Sequence, residues 1–163
     1  MSTSDLFPPA TKSEYEFTDH QYATIREAIG ILESSLRHSE ALTNSELVRQ
    51  FCQLQIVAKM DEHFGCLFLD NQHRLLAFEN LFTGTIDGAA VYPRVVVRRA
   101  LELNAAAVIF THNHPSGLPE PSQADIAITK RLREALSTVD IRTLDHVIVG
   151  SEGTVSMAER GLL

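Results

Sequence analysis

A chain of 163 residues with 44% apolar and 21% charged side chains is one domain's worth of sequence, long enough to bury a core and too apolar to be disordered throughout. The formal net charge of −7 argues against broad non-specific nucleic-acid binding, although a local basic patch is compatible with it. No apolar run approaches the ~20 residues needed to cross a bilayer, and the first residues lack a basic start before an apolar segment, so the expected location is the cytoplasm.

Residues 1–17, with Pro8-Pro9 and several Ser and Thr, carry no apolar periodicity and read as a disordered or loosely tethered tail. Thr18 and Gln21 have capping-box spacing, and behind them Tyr22, Ile25, Ile29, Leu32 and Leu36 mark one helical face. Thr43 with Glu46 opens a second helix bearing Leu47, Phe51 and Leu54, expected to run to about Met60 or Asp61. The run from Phe64 to Leu69 reads as a strand, the turn signal Asp70-Asn71 follows, and Leu75 to Phe82 completes a hairpin. Gly84 and Gly88 punctuate a loop. Pro93 suits the first position of a helix through about Leu103. Ala106 to Phe110 is a short apolar run, expected to be a buried strand. Ser122 opens a helix whose apolar face is Ala124, Ile128, Leu132, Ala135 and Val139. Leu144 to Val149 and Thr154 to Met157 read as closing strands around Ser151-Glu152-Gly153. This alternation predicts an α/β domain with a mixed sheet flanked by helices over 61–163, with N-terminal helices over 18–60 packing on or beside it. Cys52 and Cys66 have no C-x-x-C spacing and read as buried reduced thiols.

The chemistry is concentrated after the Ala106–Phe110 run, in Thr111-His112-Asn113-His114-Pro115-Ser116-Gly117, then Pro121-Ser122 and Asp125. Side chains on a strand alternate faces, so His112 and His114 point the same way and Asn113 the other. If the strand stays extended, both imidazoles gather at its carboxyl end, where sites sit in open α/β sheets. Pro115 and Gly117 turn the chain, and Asp125 in the first turn of the next helix can face back. Two His and one Asp are three ligands, which leaves zinc a fourth position for water, as in catalytic sites. Each residue also has a simpler reading. Ser122-x-x-Asp125 is itself a capping-box pattern, and a lone His after a strand is usually a surface or hydrogen-bonded residue.

His112-x-His114-Pro115, followed by Ser122 and Asp125, resembles the signature of the JAMM (MPN+) metalloprotease family. The surrounding text is similar to its RadC-like branch over roughly residues 60–163, through Phe68-Leu69-Asp70, Gly84-Thr85, Tyr92-Pro93-Arg94, Asn104-Ala105, His112 to Gly117 and Leu144-Asp145-His146. The resemblance implies a three-layer α/β/α fold of the JAMM and cytidine-deaminase type, and one zinc ion per chain held by His112, His114 and Asp125. It implies a zinc-dependent peptidase or isopeptidase acting on a peptide or protein substrate. Glu62 would be the proton shuttle and Ser122 the hydroxyl that supports the oxyanion. From the residues alone, Glu79 and Asp70 are also candidates for the acid; Glu62 is distinguished by its place at a helix-to-strand junction.

Longer RadC-like proteins carry an N-terminal helix-hairpin-helix unit with a Gly-x-Gly turn. Residues 1–55 contain only Gly30, so the chain is expected to be a short form without that DNA-binding module. The apolar stripe of the first two helices suits packing on the domain or association into a homo-oligomer. Two basic groupings, Arg94, Arg98 and Arg99 and then Lys130, Arg131 and Arg133, read as solvated helix faces, with a DNA contact as the minor alternative. His146 is expected to be a hydrogen-bonded structural residue and His73 a surface one. Two other functions stand beside the peptidase: a DNA repair or recombination accessory protein with a non-catalytic metal site, and a metal-dependent nuclease. A deaminase is disfavoured, because its His-x-Glu and Pro-Cys-x-x-Cys pattern is absent.

Overall fold

The computed structural model describes residues 17–39, 45–56, 59, 61–84 and 91–163. Among these residues, four helices and five strands follow in the order α1 (Asp19–His38), α2 (Ser45–Ile56), β1 (His63–Leu69), β2 (Leu75–Thr83), α3 (Pro93–Glu102), β3 (Ala107–Asn113), α4 (Gln123–Ser137), β4 (Arg142–Gly150) and β5 (Gly153–Ser156). The sheet order is β2-β1-β3-β4-β5. Among the described residues only β3 and β4 run parallel, joined by the crossover through α4; the other three pairs are antiparallel. The sheet is therefore mixed.

Strand alternation divides the core in two. Leu67, Leu69, Leu75, Ala107, Ile109, Val147 and Val149 point to one face and bury Leu36 of α1 with Val48, Phe51, Cys52 and Ile56 of α2. Phe64, Cys66, Phe68, Val108 and Phe110 point to the other, against Val96 and Ala100 of α3 and Leu132 and Leu136 of α4. Helices on both faces make the architecture three-layer α/β/α, and α1 and α2 form a full layer of it. Thr18 and Gln21 do close a capping box on α1. Such a cap is worth about 1 kcal/mol, whereas each buried Phe or Leu contributes about 1.5–3 kcal/mol. Packing on the sheet, more than capping, therefore holds this layer.

Several expectations change. β3 extends to Asn113, three residues beyond the expected strand, because its continuation is paired on both sides by β1 and β4. The buried stripe of α4 is Asp125, Thr129, Leu132 and Leu136, rotated from the expected apolar face, and Ala124 is exposed. Two polar side chains occupy inward positions there because they belong to the site described below. Arg99 is no free cation: its guanidinium grips Glu79 of β2 at 2.6–2.8 Å and also reaches Glu102. His73 sits in the β1–β2 turn with a left-handed φ of 58°. The expected tail apart from Phe17, the Thr43 cap, the stretch around Met60 and most of the Gly84–Gly88 loop lie outside the described residues. No helix among the described residues is long and apolar enough to cross a membrane.

Both cysteines are free and fully buried. Burial pushes the Cys52 thiol up to about 12 and that of Cys66 well above its ordinary range. A thiolate is the reactive form. Neither thiol is expected to react with a disulfide reagent at pH 8 until denaturant is added, whereupon two equivalents per chain appear.

Candidate metal centre

The site forms where the alternation of β3 meets the start of α4. Val108, Phe110 and His112 share a face, and His112 is completely buried there. The Phe64 ring stacks on the His112 ring at an interplanar angle of 11°, so the imidazole has little freedom. His114 follows directly, its backbone N–H donating to the Val149 carbonyl at 2.8 Å. The chain then turns: Gly117 N–H donates to the His114 carbonyl, and Gly117 adopts a φ of 92°. A Cβ at Gly117 would meet the Ser151 hydroxyl, and one at Gly150 would collide with the Gly117 carbonyl, so two glycines let the loop lie flat on the β4–β5 turn. The loop also supplies the Leu118 carbonyl, which accepts from His114 Nδ1 at 2.9 Å.

Ser122 caps α4. Its hydroxyl oxygen accepts from the Asp125 N–H at 3.1 Å, and its own N–H donates to Asp125 Oδ2 at 2.7 Å. The capping-box reading is thus correct, and it is also what aims the Asp125 carboxylate. Asp125 Oδ1 lies 3.1 Å from His112 Nε2, Oδ2 lies 3.2 Å from His114 Nε2, and the two Nε2 atoms are 2.8 Å apart. The structure thus brings His112, His114 and Asp125 side by side.

Glu62 reaches the same two imidazoles. Among the described residues, Glu62, His112 and His114 form a group of ligating side chains whose donor atoms all lie within 4.8 Å of one another. Glu62 precedes β1, whose Phe64 pairs with His112, so the ladder delivers it opposite the end of β3. Asn113 holds it there: its amide donates to the Asp61 carbonyl at 3.0 Å and accepts from the His63 N–H at 2.7 Å. The other two candidate acids are engaged elsewhere. Glu79 is clamped by Arg99, and the Asp70 carboxylate caps its own turn through Gln72 and Arg74.

The electrostatics of the cluster favour a positive centre. The hydrogen bond with Asp125 raises His114 above the ordinary histidine range, against the effect of burial. Burial opposes ionisation of Asp125, yet the hydrogen bonds of His112 and His114 hold its carboxyl far below the usual carboxylate range. Nε2 lone pairs and carboxylate oxygens crowded within about 3 Å repel one another unless a cation or proton lies between them. The donor set, two imidazoles and one or two carboxylates with the space between them open on the His114 side, suits a divalent ion of the zinc type.

The residues alone give His146 no part in the metal site. His146 is fully buried in β4 and its Nε2 lies 2.7 Å from His112 Nδ1, while its Nδ1 lies 2.6 Å from Thr129 Oγ1. Burial pushes it well below the ordinary histidine range, an effect reinforced by His112, so the ring is neutral. The available signal was a lone histidine in an otherwise apolar strand, at the same parity as His112 in a parallel neighbour.

A model of the RadC-like JAB domain matches residues 42–162. The chain belongs to the RadC-like JAB family. Three relatives, each called a UPF0758 protein, illustrate the kinship. The protein of Nitrosococcus oceani is 58% identical over 132 residues, which is 81% of this chain and 59% of that protein. That of Cellvibrio japonicus is 59% identical over 140 residues, or 82% and 62% of the two chains. That of Vibrio cholerae is 53% identical over 144 residues, or 88% and 90%. The chain thus spans about three fifths of the length of the first two. The RadC-like match begins before α2, so that helix lies within the family's domain, whereas α1 precedes the matched region.

Proposed function

We propose that this RadC-like JAB domain is a zinc-dependent hydrolase of peptide or isopeptide bonds. The observation that carries the reading is the convergence of His112 Nε2, His114 Nε2 and the Asp125 carboxylate within 3.2 Å of one another, with a Glu62 carboxylate oxygen within 4.8 Å of the two imidazoles. His112, His114 and Asp125 would hold the ion. When bound, zinc lowers the pKa of a coordinated water toward ~7 and polarises a carbonyl.

The chain's own groups supply the rest. Glu62, whose neighbours Asp61 and His63 are held by Asn113, would take a proton from the attacking water and return it to the leaving amine as general acid. The Ser122 hydroxyl oxygen already accepts from the Asp125 N–H, so its single proton is free to be donated to a developing oxyanion. Phe64 and Phe110 border the buried side of the cluster, where a low dielectric strengthens each of these interactions.

The test is protein stripped with a chelator, reloaded with zinc and screened against a peptide library and isopeptide-linked conjugates. Amide cleavage that vanishes on chelation and returns with zinc is the expected outcome. Phosphodiester cleavage under the same conditions, or salt-dependent DNA binding with no hydrolysis of any kind, would replace it with one of the nucleic-acid readings.

A further inference from the structure

We infer that Thr129 and His146 form a proton-ordering relay that decides which nitrogen of His112 is free to bind the ion. This inference rests on the metal reading of the site and adds two positioning residues to it.

The relay has a fixed direction because it starts at a group that can only accept. Thr129 Oγ1 lies 2.6 Å from the backbone carbonyl of Asp125, one turn earlier in α4, and donates its one proton there. The Thr129 oxygen, 2.6 Å from His146 Nδ1, is then left as an acceptor, so Nδ1 of His146 carries that ring's hydrogen. The Nε2 of His146 is consequently bare and accepts from His112 Nδ1 at 2.7 Å. With its hydrogen on Nδ1, His112 presents a bare Nε2 lone pair to His114 and Asp125.

All three side chains are at most 1% exposed, so water does not stand in for any member. The His146 ring is further fixed edge-on against Phe64 and Phe110, at centroid distances of 5.4 and 5.9 Å. His114 reaches the same end more simply, by donating from Nδ1 to the Leu118 carbonyl. In its neutral form each imidazole thereby carries its hydrogen on Nδ1, the ligand tautomer; a second proton, on Nε2, is the one shared with Asp125 and displaced by an ion. The relay also returns to its origin: the residue whose carbonyl anchors it, Asp125, supplies the carboxylate that faces His112.

The experiment uses the metal-free full-length chain, labelled with 15N-histidine, and long-range proton–nitrogen correlation spectra at a pH where His112 is neutral. The wild type is expected to show His112 protonated on Nδ1. In Thr129→Val, His146 loses its acceptor, its hydrogen moves to Nε2, and His112 is driven to the opposite tautomer. Zinc affinity, measured against a competing chelator, is then expected to fall about 10- to 100-fold, and Thr129→Ser is expected to restore both readouts. A packing role alone would lower the melting temperature of Thr129→Val while leaving the tautomer and the zinc affinity of the folded protein unchanged, and that result overturns the relay. A wild type with His112 protonated on Nε2 overturns it too, and this holds even if Thr129→Val does not fold. The expected tautomer in a chain without zinc affinity would leave the relay standing and end the metal reading instead.

Discussion

Replacing Glu62 by glutamine is expected to leave the zinc content of the protein unchanged and to lower turnover by about 10²- to 10⁴-fold. The substitution keeps the size of the side chain. It does not touch the Asn113 bonds to the Asp61 carbonyl and the His63 N–H that place this segment. What it removes is the capacity to take up and release a proton. The alternative is equally concrete, because the Glu62 carboxylate belongs to the cluster of donor atoms within 4.8 Å and could itself be a ligand. In that case Glu62→Gln loses metal and activity together. Elemental analysis of zinc per chain, alongside initial rates on a peptide from the library screen, separates the two. A variant that keeps both its metal and its rate would leave Glu62 with no part in the reaction.

The readable part of this protein is the part that is local in sequence. Two histidines at i and i+2 on a strand, and a carboxylate in the first turn of the next helix, are bound together by alternation and capping rules acting within fourteen residues. Those rules place His112, His114 and Asp125 without knowledge of the sheet order. His146 lies 34 residues from His112 and is brought to it only by the parallel pairing of β3 with β4. Thr129 and Asp125 disguise the inner stripe of α4, since an apolar rule rejects polar residues that a site requires inside. It therefore selected Ala124, which is exposed. Arg99 was invisible as a structural residue for a related reason, because its partner Glu79 stands on β2. Three acids were open as the proton carrier in the sequence. The structure removes Glu79 and Asp70 by engaging each elsewhere, a distinction that needs long-range pairing for one and turn geometry for the other.

Asp125→Asn is the variant expected to reach furthest, because it acts on both the metal-loaded and the metal-free protein. Asparagine can still accept from the Ser122 N–H, so the start of α4 survives; the negative charge between the two imidazoles does not. In the metal-free wild type, the Asp125 carboxyl is held far below its ordinary range, so its contribution to stability is present above the unfolded value of about 3.9 and fades as pH falls from there toward the folded value. His114 is raised, so its contribution is full below the unfolded value of about 6.5 and is lost as pH rises through the folded value. The pair therefore stabilises most between about pH 4 and 6.5, and Asp125→Asn should flatten that maximum in a melting-temperature profile taken with chelator present. Once pH has risen through the folded value of His114, protons no longer compete for the ligands, and zinc takes over. Zinc at 100 times its Kd adds about 2.7 kcal/mol to the wild type. At the same concentration the variant should gain nothing measurable, since loss of a ligand exceeds the roughly 10- to 100-fold cost of losing a supporting partner. A variant that retains both the acid-side maximum and the zinc-induced rise in melting temperature would remove Asp125 from the site and leave the imidazole pair to Glu62.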